Sequence, residues 1–283
     1  MKQRHIHSII ACAMLLAGNS CKKAYDYIRQ HPDDRISFCR IMQIRTPGGF
    51  DGGMPDTFDV TYNAKGDPTD IVERPRSYFF IDNWDQHFRY DKAGRLIYYF
   101  INFNLPAGTP IGGTLTFHKY AYPRPNFVTD TIINYSDGIP PNYKDYIGEA
   151  YIKGYLLDNK GKIIKLYDIS ADPHQPPQFV ADVTYDNNGN LSVPDPAVTY
   201  DNMVNPYRTN YAFQFAFNDF SRNNQISVGP NPFGVSPVYN QFGLPVVIPF
   251  PRTQPLSLLF GVYTGSLYFI DYACTTPKGP IEY

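Results

Sequence analysis

Phe58-Asp59-Val60-Thr61-Tyr62-Asn63-Ala64-Lys65-Gly66 is the stretch that decides the fold. Phe58, Val60 and Tyr62 alternate with Asp59 and Thr61, the period of two that a half-buried β-strand requires. Asn63 then opens a turn by bonding its own backbone, and Gly66 takes the left-handed conformation that closes it. Such loops join antiparallel strands as a hairpin with a bulge. The signal returns in Tyr90-Asp91-Lys92-Ala93-Gly94, Leu157-Asp158-Asn159-Lys160-Gly161 and Tyr185-Asp186-Asn187-Asn188-Gly189. Before the last of these, Ala181, Val183 and Tyr185 again alternate with Asp182 and Thr184. Gly66, Gly94, Gly161 and Gly189 are therefore turn glycines. The intervals Gly66–Gly94 and Gly161–Gly189 are equal, which points to two related hairpin blocks over residues 58–103 and 153–193.

Composition extends this reading to the whole chain. There are 24 Tyr and 20 Phe, which suit pleated, half-buried surfaces, and 26 Pro, which interrupt helices. The expected fold class is all-β, an antiparallel meander of hairpins forming an extended, curled or partly barrel-like sheet. Leu96–Ile101 is apolar on both faces, so it is a central strand covered on both sides or one with an exposed aromatic ledge. Thr114–Tyr120 reads as a further strand. Tyr207–Phe220 fits two patterns: Tyr211, Phe213, Phe215 and Phe217 make a strand face, whereas Tyr207, Tyr211 and Phe215 make a helical stripe. The proline-dense run Val228–Pro255 predicts a long loop or edge segments. Leu256–Phe260 and Leu267–Ala273 read as a final hairpin around Tyr263-Thr264-Gly265.

The N-terminus carries an address. Lys2 and Arg4 precede an apolar run from Ile9 to Ala17, then Gly18-Asn19-Ser20 and Cys21. The run is shorter than the roughly 20 residues a spanning helix needs, but it suits a cleaved secretory signal. The segment resembles a lipobox, with Gly18 where Leu is usual. That resemblance implies a signal peptide over residues 1–20 and lipidation of Cys21. The alternative is an ordinary signal in which Cys21 carries no lipid. Residues 21–35 follow as a polar tether, and residues 36–283 as a single β-rich domain. A chain of this size buries roughly 75% of its unfolded surface and needs no metal to fold. A net charge of −1 with scattered basic residues gives no electrostatic footprint for nucleic acid.

Cys39 and Cys274 remain beyond the signal and lipid cysteines. In an oxidising compartment they form a disulfide, worth about 4 kcal/mol on the entropic model, or they are two buried small hydrophobes. Sequence alone leaves both readings open, because it does not give the distance between them.

Tyr90-Asp91-Lys92-Ala93-Gly94-Arg95-Leu96 resembles the YD repeat of Rhs-type proteins, although the copies here are not packed in a tandem array. The chain is more similar to uncharacterised Bacteroidota lipoproteins that carry a few such hairpins. The likeness rests on Ser20-Cys21-Lys22-Lys23, Cys39-Arg40-Ile41, the segment Tyr200-Asp201-Asn202-Met203-Val204-Asn205-Pro206-Tyr207, and Asn223-Asn224. It implies a curled antiparallel sheet, an outer-membrane lipid anchor facing the periplasm or the cell surface, and no established activity.

Chemical motifs are sparse. His31, His87, His118 and His174 have no metal-ligand spacing, and no nucleophile elbow occurs. Pro47-Gly48-Gly49-Phe50-Asp51-Gly52-Gly53 is followed by strand-like sequence, so it reads as a hairpin loop and not a phosphate cradle. Asp186–Asn190 lacks the downstream Glu of a calcium loop. A glycosidase needs two carboxylates about 5–9 Å apart, and no pair is singled out among 26 acidic residues. Asp130-Thr131-Ile132 resembles a short O-glycosylation motif of exported proteins. One cluster has ligand-binding chemistry: Asp82, Trp84, Asp85 and His87 combine the one Trp with polar groups of the kind that grip sugar rings. The competing reading packs Trp84 in the core.

No catalytic residue, metal or cofactor is assigned. The expected function is a non-catalytic envelope module that binds a glycan or another envelope protein and reaches the membrane through Cys21. The alternatives are a carbohydrate hydrolase, expected to show an acid-lined cleft, and a hydrophobic-ligand carrier, expected to line a cavity with Leu96–Ile101.

Overall fold

A computed structural model describes residues 36–46, 56–74, 84–103, 115–135, 150–170, 172, 174–192, 198–227, 235–249 and 267–275. The signal, Cys21, the tether, His31, the loop 47–53, Asp82 and the segment 256–265 lie outside the described residues.

One turn, found five times among the described residues, organises the sheet. In the first, the Asn63 amide donates to the Asp67 carbonyl (2.9 Å) and the Gly66 amide to the Asn63 carbonyl (3.0 Å). Asn63 Oδ1 accepts from the amides of Lys65 (2.9 Å) and Asp67 (3.0 Å). Asp91, Asp158 and Asp186 open turns with the same backbone pattern, each closed by its positive-φ glycine. Asn240 and Gly243 make a fifth, within the proline-dense segment where sequence pointed to a loop or edge segments. Gly189 shows why this position is glycine. Its φ is +79°, and a Cβ there would run into the Arg222 guanidinium stem.

A second repeated device locks each turn to its neighbour. The hydroxyls of Tyr90, Tyr122, Tyr185, Tyr200 and Tyr272 donate to the carbonyls of Pro68, Leu96, Ile163, Leu191 and Pro245, at 2.8–3.0 Å. Every acceptor stands two residues after a turn glycine. Tyr62 donates likewise to the Ile41 carbonyl at 2.7 Å. Both sequence blocks repeat this geometry, with Tyr90 reaching back to Pro68 and Tyr185 to Ile163 across the same separation of 22 residues. Burial pushes all six phenols above their ordinary pKa.

The strands are β1 (Cys39–Thr46), β2 (Asp56–Tyr62), β3 (Pro68–Arg74), β4 (Trp84–Tyr90) and β5 (Leu96–Phe103). Next come β6 (Leu115–Arg124), β7 (Phe127–Tyr135), β8 (Ala150–Leu157), β9 (Ile163–Ile169) and β10 (Gln178–Asp182). After β11 (Val198–Val204) and β12 (Asn223–Ser227) follow β13 (Val238–Tyr239), β14 (Pro245–Pro249) and β15 (Leu267–Cys274). Thirteen of them form one antiparallel sheet, in the order β10 to β1 and then β15, β14 and β13; it is not closed into a barrel. β11 and β12 pair separately. Of the expected final hairpin only Leu267–Ala273 is described; it lies in β15, which pairs with β1 on one side and β14 on the other.

Cys39 lies in register with Cys274, and the two form a disulfide across β1 and β15. Of the two readings sequence left open, the pairing is the one realised. Ile36, Phe242 and Leu244 pack beside the bond as a small second core.

The connection between β11 and β12 fills the inner face of the sheet. It contains a 3-10 turn (Pro206–Thr209) and a six-residue helix, α1 (Tyr211–Ala216). The helical reading of this segment is therefore correct and the strand reading is not. Asn210 caps α1 through its side-chain oxygen and donates to the Gly66 carbonyl (3.3 Å), while the Tyr211 hydroxyl donates to that of Gly161 (3.1 Å). Two turn glycines thus receive the plug. Its rings meet the sheet edge-on: Phe213 on Phe88, Phe215 on Tyr120 and Tyr155, and Phe217 on Tyr99, with centroids 5.1–5.8 Å apart. Leu96, Tyr99, Phe88, Ile71, Ile44 and Ile270 belong to this one core.

Candidate functional site

With the inner face filled, the outer face of β4–β7 is the surface with unusual chemistry. Strand alternation puts every second side chain outward, and register aligns them in two rows. One row runs His87, Phe100, Phe117 and Ile133; the other runs Arg89, Tyr98, Lys119 and Thr131. His87 stacks on Phe100 at 4.6 Å, Phe100 meets Phe117 at 5.9 Å, and Tyr98 meets Phe117 at 5.4 Å. All four side chains are half-buried, so the rings form a ledge that keeps one side toward solvent. This resolves the two readings of Leu96–Ile101. The strand is central, with Leu96 and Tyr99 under the plug and Tyr98 and Phe100 on the ledge.

A polar cluster borders the rings. Asp70 Oδ1 lies 2.7 Å from His87 Nδ1 and accepts from Arg89 Nη1 at 3.2 Å. Burial raises the Asp70 pKa, but hydrogen bonds from His87, Thr69 and Arg89 outweigh it and hold the carboxyl below its ordinary value. Asp70 is therefore a fixed anion at neutral pH, with a histidine and an arginine around it.

The sequence-predicted cluster divides. His87 joins the ledge. Asp85, only 3% exposed, is a buried acceptor for the Glu73 amide (3.3 Å), which removes it from a solvent-facing sugar site. Trp84 begins β4 opposite Phe103 in register. Asp82 lies outside the described residues. The residues that sequence reasoning missed are Tyr98, Phe100, Phe117, Asp70 and Arg89. The alternation within Leu96–Ile101 held part of that signal, but cross-strand register was needed to gather the rest.

Beneath the plug lies a second polar arrangement. Asp130 is 1% exposed and holds His118 Nδ1 (2.9 Å) and the Tyr155 hydroxyl (3.2 Å) on the same oxygen, Oδ2. Its other oxygen is buried with no hydrogen-bond partner among the described residues. The motif Asp130-Thr131-Ile132 is part of β7, with Asp130 and Ile132 buried and Thr131 half-buried in the outer row. Tyr155 also floors a cleft of about 330 Å3 between β8, β9 and the chain after β10. Among the described residues no three His, Cys, Asp or Glu side chains converge as metal ligands. No helix among them is long and apolar enough to cross a membrane.

Compared with protein-family models and with curated proteins, the chain matches none.

Proposed function

We propose that this protein is a non-catalytic module of the cell envelope that binds carbohydrate on the outer face of its sheet. The observation that carries the reading is the ledge of Tyr98, Phe100 and Phe117, left open outside while the protein's own plug occupies the inner face. The C–H faces of a pyranose are apolar and stack on aromatic rings, while its hydroxyls need charged or amide partners beside the stack. Asp70, Arg89 and Lys119 border the rings with that chemistry. An envelope location is supported by the Cys39–Cys274 disulfide, a bond that persists in exported proteins, and by the resemblance of residues 1–21 to a lipoprotein signal.

The test is a screen of envelope and extracellular polysaccharides against the wild type and a Phe100→Ala, Phe117→Ala variant. Binding that falls about tenfold or more in the variant, with the unfolding transition retained, supports the reading. Binding that is unchanged, or no binding to any polysaccharide, refutes it.

A further inference from the structure

We propose that the cleft over Tyr155 is a second ligand site, independent of the outer ledge, and that it takes a small amphipathic carboxylate with an aliphatic body. The walls set the body of the ligand. Ile163, Leu166, Val183 and Leu191 line the cleft, and the Tyr155 ring forms its floor. A volume of about 330 Å3 lies within the range of small-molecule sites, which are apolar concavities oriented by a few polar groups.

Charge sets the head group. Two charged side chains, Lys153 and Asp182, reach the cleft, and they differ in how they are engaged. Asp182 is paired with Lys165 Nζ at 3.3 Å. Lys153 is in register with Asp130 on one side and Asp168 on the other, yet neither closes an ion pair on it. The Asp130 carboxylate instead faces His118 and Tyr155. The Lys153 ammonium lies 5.7 Å from the centre of the Tyr151 ring. Among the described residues, the charge in the cleft without a counter-ion is therefore positive, and a carboxylate on the ligand would complete it.

The floor is rigid and prepared. The Tyr155 hydroxyl is fixed by Asp130, which is itself fixed by His118. Asn218 borders the opening in the left-handed region (φ 52°), where the chain leaves α1 and turns back. Asparagine is among the few non-glycine residues that adopt this conformation readily, and here its side chain hydrogen-bonds the Tyr155 hydroxyl. The cleft thus combines an aliphatic pocket, a braced floor and one cation with no ion-pair partner among the described residues.

The experiment is calorimetric titration of the chain with decanoate and, separately, with decanol. Saturable binding of decanoate is expected. Lys153→Gln should weaken decanoate about tenfold and leave decanol unchanged, because only the carboxylate uses the ammonium. Leu191→Trp, which fills the cleft, should abolish both, and Val183→Trp repeats that test from another wall in case the first variant does not fold. The proposal is overturned if decanoate does not bind the wild type, if binding survives the cleft-filling variants, or if Lys153→Gln weakens both ligands equally. Polysaccharide binding on the outer ledge should be unaffected by any of these substitutions.

Discussion

Removing the hydroxyl from the tyrosines that clamp the turns tests whether those clamps hold the sheet. Tyr90→Phe deletes the donor to the Pro68 carbonyl, a 2.8 Å bond to a buried residue, and leaves the ring in place. A hydrogen bond of this kind contributes about 1 kcal/mol net, and an acceptor left buried and unpaired raises the loss to about 2 kcal/mol. Tyr122, Tyr185 and Tyr272 make the equivalent bond at three other turns, on separate parts of the sheet. Distant sites add, so the fourfold Phe variant should lose about 4–8 kcal/mol. A domain has about 5–15 kcal/mol in total, which places that variant near the edge of folding. Urea denaturation followed by circular dichroism, with the disulfide intact, gives each loss from the midpoint and slope. Tyr98→Phe is the control, because its hydroxyl has no hydrogen-bond partner among the described residues, and it should shift stability by less than about 0.5 kcal/mol. A fourfold variant that loses no more than the Tyr98→Phe control would refute the clamp as a stabilising device.

Three further outcomes follow from the same packing. Burial raises the pKa of the clamping phenols in the folded state, so their contribution is fully present below pH 10 and is lost as pH rises above it, where unfolded phenols ionise and folded ones do not. The fourfold Phe variant should lose less stability than the wild type between neutral and strongly alkaline pH, measured by denaturant titration at each pH. Phe215→Ala in the plug should cost about 3–5 kcal/mol, since the ring is 1% exposed between Tyr120 and Tyr155; a loss below about 1 kcal/mol on chemical denaturation would mean the plug is not part of the core. Replacing Cys39 and Cys274 together by Ala should lower stability by about 2–5 kcal/mol, the range for removing a native disulfide, and reduction of the wild type should reproduce the same melting temperature.

How much of this was legible depends on whether the information was local. The first four turns were readable because Asn or Asp and Gly have to sit at fixed positions for the backbone to reverse. The fifth, Tyr239-Asn240-Gln241-Phe242-Gly243, carries the same letters, but surrounding prolines obscured the strands beside it. Tyr207–Phe220 could not be settled from its own residues, because closely spaced aromatics satisfy both periods. The inner face of the sheet settles it, since Phe213 and Phe215 of α1 and Phe217 at its C-terminal cap reach four different strands. Asp85 and His87 share a strand face by simple alternation, yet only three-dimensional packing buries the first and leaves the second half-exposed. His118, Asp130 and Tyr155 meet across three strands, a juxtaposition that requires the register.

The place where β1 meets β15 gives the molecule a seam in its interior and not at its margin. From β1 to β10 each strand adds beside the one before it, so that part of the sheet can grow as the chain emerges. The seam joins residues 235 apart and has to wait until β15 has been made. Until then β1 presents an unpaired edge, which is the state most open to pairing with another chain. Long-range strand pairing of this kind is slow because the loop entropy is lost before the contact forms. Oxidation of Cys39 with Cys274 then works as a latch: the two sulfurs come together only when the final strand has zipped into its slot, and their bond keeps the seam from reopening.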